Sequence, residues 1–293
     1  MHKYLRAIGF SRVVNRNQYE ALMQYVIQTS TDRVFTSHDD EFMYAAYSKD
    51  FGKRIGLTVR GEFDEENHFY TDFCYPYVLG TKISSTEDIT VERHAQTESF
   101  SGVCDDIKLG ITLIFYLQNA MDYLKLNGAN RLPARGTTLS LSALSVSGMI
   151  VMPISKNDSD REKDQKATDS RRRLLNEARK GNEQAIETLT LEDMDTYSNL
   201  SRLILKQDVY SLVDTYFMPY GVECDQYSVM GEILSYELIQ NELTKEELYL
   251  MSIVSNDLFF DVCINKEDLF GEPEVGRRFK GVIWMQGKIT FPA

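Results

Sequence analysis

The side chains that could ligate a metal or act as nucleophiles are few and widely spaced. Cys74, Cys104, Cys224 and Cys263 are separated by 30, 120 and 39 positions. A zinc or dithiol site needs two thiolates on one turn, which a CxxC pair supplies and this spacing does not. His2, His38, His68 and His94 form neither HxH nor HxxxH. A histidine metal site would therefore have to be assembled from distant segments. The expectation is no metal and no cofactor, with the four cysteines reduced and buried as small apolar groups.

Other motifs offer chemistry only with help. Cys104 stands beside Asp105 and Asp106, whereas an activated thiolate wants cationic neighbours. Reaching His94 across a hairpin would be its one route to a Cys–His pair. The runs His38, Asp39, Asp40, Glu41 and Asp64, Glu65, Glu66 could offer oxygens to a divalent cation, but they read as solvated acidic turns. Ser145 and Ser147 before Gly148 do not make the GxSxG elbow of a nucleophilic serine. Neither GxxxxGK[ST] nor GxGxxG occurs, which removes the usual nucleotide cradles. Arg171, Arg172 and Arg173 read as a solvated helix face beside Asp169 and Glu177. Arg277 and Arg278, ahead of a strand, and Trp284, the single tryptophan, are the interaction candidates. An enzyme would instead need acids such as Asp72, Asp105 or Asp106 to meet in a cleft between modules.

The elements that must hold these residues follow from charge and period. The chain has 293 residues, 43% hydrophobic and 26% charged, with a net charge of −12. That is enough to bury a core without staples, and it disfavours nucleic acid or an anionic membrane as a partner. No apolar run approaches the ~20 residues of a membrane helix, and Arg6 and Arg12 interrupt any signal-type apolar stretch at the start. Charge divides the chain unevenly, with 155–181 at +3 and 221–293 at −7. Residues 155–166 carry no apolar side chain and are expected to be a solvated linker. The expected organisation is an α+β domain over 1–154, a linker over 155–167, a helical segment over 168–220, and a small β-barrel-like domain over 221–293.

Within the first domain, Tyr19, Leu22, Met23, Val26 and Ile27 share one helical face behind an asparagine cap. Then the period changes to two. Ile55, Leu57, Val59 and Phe63 alternate with Gly56, Thr58, Arg60 and Glu62, and a polar turn leads into a second strand over 69–75. Further strands are expected at 89–94, 109–117, 138–144 and 147–154, while 107–126 could be strand then helix or one helix. The lack of regular helical crossovers implies antiparallel pairing. Over 168–217 the expectation is four short helices, punctuated by Gly181, Asn182, a capping box at Thr190 and Asp193, and Asp208. The last segment reads as strands at 227–239, 247–254, 258–265 and 279–291. Gly231, Gly281 and Gly287 fall within them, where curled sheets bend. In 279–291 the odd positions share a face, so Trp284 points the other way. Something outside the barrel should cover it, the helical segment or a second subunit.

Several phrases carry a resemblance over essentially the whole chain. They are the opening through Ser11, Leu191 to Ser198, Pro219 to Gln226, Gly271 to Gly281, and Trp284 to Gly287. In these the sequence resembles a domain-of-unknown-function family of anaerobic Firmicutes. The resemblance implies a bacterial cytoplasmic protein and brings no activity or catalytic residue.

The expected function is a non-catalytic interaction or regulatory protein with a protein partner or small ligand, and a homo-oligomer is compatible with it. The alternative is the enzyme with an acidic inter-module site. A deep cavity with convergent acids would favour the enzyme, and a flat apolar patch the binding protein. On the ligand spacing alone, a strong chelator should leave the melting temperature unchanged. A sharp fall that one added metal reverses would contradict the reading.

Overall fold

The computed structural model describes residues 2–39, 42–93, 99–106, 111–129, 131–133, 136–154, 158–204 and 213–292. A short 3₁₀ turn, Lys3–Ile8, precedes helix α1, Arg16–Thr29, whose N-cap is Asn15 accepting from the Gln18 amide. Four strands follow: β1 Asp32–Asp39, β2 Phe42–Gly52, β3 Ile55–Phe63 and β4 Phe69–Val78. They form an antiparallel sheet in sequence order. Alternation in β3 sends Ile55, Leu57 and Val59 into a core shared with Leu22 and Val26 of α1. Thr58 and Arg60 lie on the opposite face.

A ten-stranded mixed sheet takes the rest of the β structure. Its first half is β5 Ile89–Arg93, β6 Phe100–Asp106, β7 Ile111–Leu117 and β8 Thr138–Val151, with α2 Ala120–Gly128 between the last two. The 107–126 stretch is thus strand then helix, with 107–110 outside the described residues. The second half is β9 Tyr216–Pro219, β10 Gln226–Gln240, β11 Glu247–Ser255, β12 Leu258–Asn265, β13 Leu269–Phe270 and β14 Arg278–Thr290. Between the halves run two helices, α3 Asp158–Arg179 and α4 Glu183–Ile204.

Several expectations change here. The strands of 221–293 curl as foreseen, but they do not close alone: β8 pairs with β14 antiparallel and with β12 in parallel. This makes a five-stranded ring of β8, β12, β11, β10 and β14, so the proposed boundary near 154 cuts through one sheet. The two strands expected at 138–144 and 147–154 are one strand with a bulge, where Val146 and Ser147 oppose Val282 alone. Gly148 faces Gly281 across this pair, and the Phe279 ring fills the space both glycines leave. Residues 158–167, expected as linker, belong to α3. Arg161, Glu162, Lys163, Gln165, Lys166 and Ala167 have good intrinsic helix propensity and need no buried face to form a turn. Among the described residues the first three expected helices become two. Gly181 does adopt φ +85 and Asn182 caps α4 through its Oδ1, but Thr190 and Asp193 fall inside α4. Of the helix expected from Asp208, 205–212 lies outside the described residues and Phe217 is in β9.

The two β systems meet through the first ten residues. Tyr4, Leu5, Ala7 and Ile8 are buried in one core with Leu57 and Val59 of β3 and with Leu144, Leu250 and Cys263 on the outer face of the ring. Polar contacts fix the same seam. Asn241, fully buried, donates to Ile8 O at 2.7 Å. Asp261 accepts from Arg54 Nη1 at 2.8 Å, from Thr81 N and Oγ1, each at 2.7 Å, and from Ser252 Oγ. Trp284 does point away from the ring interior. Its cover is the N-terminal turn rather than the helical segment or a second subunit: Tyr4 stacks on it at 5.3 Å and His2 lies 4.5 Å away.

His2 is held neutral in that stack. Burial, then the positive charges of the chain's amino terminus and Lys3, lower its pKa to about 4. The unfolded chain therefore binds a proton that the folded chain refuses between about pH 6.5 and pH 4. Stability should fall as pH drops through that window, by up to about 3 kcal/mol, and then level off. Denaturant titrations from pH 7 to 4 check this, and His2→Phe should flatten the slope.

Candidate functional site

The sequence pattern sets Thr58 and Arg60 on the polar side of β3, yet this side is covered. β7, α2 and the end of β14 close over it and leave a cavity of about 260 Å³. Three cross-strand rungs form its wall. One is Val34, Ala46 and Arg60; the next is Asp32, Ser48, Thr58 and Tyr75; the third is Asp50, Gly56 and Tyr77. Facing them are Gln118 to Asp122 and Lys288.

Most of the polar atoms are matched within the wall. Tyr77 Oη donates to Asp50 Oδ1 at 2.6 Å, reaching across β3 at Gly56. A Cβ at Gly56 would lie 2.3 Å from that hydroxyl, so only glycine leaves the path open. Ser48 and Thr58 share a hydrogen bond of 2.9 Å. Tyr75 Oη donates to Gln118 O at 2.9 Å. Gln118 Nε2 reaches Val78 O and Gln286 Oε1, each at 2.8 Å. Asn119 is locked to Ile289 by a pair of bonds, accepting from its amide and donating to its carbonyl. Burial, with Asp50 and Asp32 nearby, raises the Tyr77 hydroxyl far above the ordinary tyrosine range, so it stays a donor.

Arg60 is different. It is 7% exposed, its Nε has no hydrogen-bond partner, and its guanidinium lies 5.7 Å from the Phe100 ring centre. Among the described residues no carboxylate lies within ion-pair distance of it. Two more buried acceptors or donors close by are unmatched, Tyr116 Oη and Gln118 Oε1. A guanidinium buried among the Tyr75 and Tyr116 phenols with no carboxylate beside it costs stability, so a group that stays in this state is held by something other than stability. The cavity grades from this cationic floor to a mouth where Asp32, Asp50, Asp122 and Lys288 are exposed.

The residues singled out from sequence go elsewhere. Arg278 is 3% exposed and donates to the carbonyls of Met152, Val213 and Asp214, tying β14 to the chain around the helices. Arg277 pairs with Glu274 and donates to Glu272 O. Trp284 is buried and donates its Nε1 proton to Asp225 at 2.7 Å. None of the three lines the cavity. Asp72 borders a small hollow on the other side of Arg60, and Asp105 on β6 accepts from Thr112. His94 and the side chain of Asp106 lie outside the described residues, as does the side chain of His38. Arg171 pairs with Asp193 at 2.7 Å, and the Arg172 side chain lies outside the described residues. Asp64 closes its own turn by accepting from the Glu66 and His68 amides. Cys74, Cys104 and Cys263 are buried and Cys224 is exposed. Burial pushes the Cys74 thiol up to about 12, which keeps it un-ionised. Among the described residues no three His, Cys, Asp or Glu side chains gather as a metal site. No helix there is long and apolar enough to cross a membrane.

Gly56→Ala should break the Tyr77–Asp50 bond and cost about 1–3 kcal/mol by overpacking. Tyr77→Phe should cost about 1 kcal/mol. Denaturant unfolding of both variants and of the double variant checks the origin. Tyr77→Phe should cost much less in the Gly56→Ala background than alone.

No curated protein and no solved structure matches the chain. A family match covers residues 5–287, nearly its whole length. The chain thus belongs to the family described as a domain of unknown function, E. rectale gene description (DUF3881).

Proposed function

We propose that this is a non-catalytic binding protein with a regulatory or interaction role, whose ligand is a small polar molecule seated in the cavity. The observation that carries this is Arg60, a buried cation with an unmatched Nε on a covered sheet face. The volume of about 260 Å³ is just under the range of ~300–1,000 Å³ typical of drug-sized ligands, which suits a small metabolite. The net charge of −12 supports a ligand that is neither nucleic acid nor a membrane. The scattered spacing of the four cysteines, three of them buried, supports a reducing, cytoplasmic setting.

The second reading is an enzyme, favoured by the three carboxylates Asp32, Asp50 and Asp122 around the cavity. They are not the acids expected from the sequence. Asp32 and Asp50 sit at the exposed mouth, and Asp50 already accepts the Tyr77 proton.

Arg60→Met tests the binding reading directly. Removing an uncompensated buried charge should raise the stability of the free protein by about 1 kcal/mol while abolishing any ligand-induced thermal shift. A loss of several kcal/mol would make Arg60 a structural residue and count against the site. Bound ligand recovered unchanged after incubation supports binding; turnover that Asp50→Asn abolishes would support the enzyme.

A further inference from the structure

The geometry points to a zwitterion as the cavity's ligand: an amino acid or short amino-carboxylate, carboxylate inward and ammonium at the mouth. This inference rests on the binding reading above and specifies its chemistry. The charges around the cavity are two cations, Arg60 and Lys288, against three carboxylates, Asp32, Asp50 and Asp122. They are also sorted by depth. Arg60 stands at the floor with Thr58 and Tyr75, all buried, while the three acids and Lys288 are exposed at the mouth.

Each end selects a group. A guanidinium presents a planar fork of donors that matches a carboxylate's two oxygens, and Arg60 lines the inner end of the cavity. A phosphate dianion fits badly, since a single buried cation would face it and three carboxylates would guard its way in. A simple carboxylic acid satisfies the floor but leaves the acidic mouth unanswered. An ammonium group answers it. Asp32 lies one rung from Arg60 along the strands and two strands across, and Asp50 two rungs along and one strand across, about 12 and 14 Å between Cα atoms. A ligand with its charges separated by a few bonds fits between these once the long Arg60 side chain is counted. Asp50 accepts the Tyr77 hydroxyl through Oδ1, and no described residue donates to its second oxygen.

The test is a thermal-shift and calorimetry panel on the full chain. It holds α-amino acids, straight-chain ω-amino acids, their decarboxylated amines, their deaminated acids, and inorganic phosphate. At concentrations on the order of 10 mM at least one zwitterion should raise the Tm by about 2 °C or more. Its amine and its deaminated acid should each do less. Arg60→Met should abolish the shift. The exposed pair of changes Asp32→Asn and Asp50→Asn should weaken the zwitterion at least about fivefold and leave the deaminated acid unaffected. Deaminated acids or phosphate binding as well as any zwitterion, in an Arg60-dependent way, would overturn this inference while sparing the binding reading. No shift from any probe would overturn both.

Discussion

Everything in this molecule that matters for the cavity depends on the packing of the first ten residues between two β systems. Tyr4, Leu5, Ala7 and Ile8 fill the seam between the four-stranded sheet and the outer face of the five-stranded ring. They bring with them Trp284 of the ring and Leu57 of the sheet. Burying such side chains fully contributes about 1.5–3 kcal/mol each, and the polar clasps at Asn241 and Asp261 set the alignment. With one face of the sheet committed to α1 and this seam, the other face is held at a fixed distance from β7 and α2. The gap is the cavity.

That arrangement explains why a polar face is enclosed without being matched throughout. Ser48 and Thr58 satisfy each other, Tyr75 and Gln118 bind backbone or neighbours, and Tyr77 meets Asp50. These pairs use up the wall and leave Arg60 over. In a core selected for stability alone, a Met at that position would serve better. The cost is local and concentrated, as it is at sites kept for a ligand.

The strands of the ring were legible because their apolar residues alternate cleanly, as in Phe279, Ile283, Met285 and Ile289. The interior glycines announced the curl. What alternation could not say is which strands would close it, since β8 lies more than a hundred residues before β12 and nothing local marks the partnership. β1 and β2 were missed because Asp32, Arg33 and Ser48 interrupt any period-two signal. For the site, the pattern gave the partition but not the cover. Thr58 and Arg60 do share a face apart from Leu57 and Val59, and alternation alone does not say what lies over it. The one hint was the pair of tyrosines, Tyr75 and Tyr77, on the facing rungs of β4, since phenols suit a covered surface that still needs donors. Arg278 and Trp284 stood out by residue type, and both are buried with hydrogen bonds away from the cavity.

The ring also has a history written into its order. β8 cannot find its neighbours until β12 and β14, which lie far later in the chain, exist. The α3–α4 pair is inserted between β8 and the other ring strands, lengthening the loop that must close. Pairings this distant in sequence make folding slow. During synthesis β8, bridged to earlier chain only near Leu139, waits with the rest of its edges open to other chains. The parallel contact of β8 with β12 spans only four residue pairs, so the one parallel joint of the ring is also its shortest.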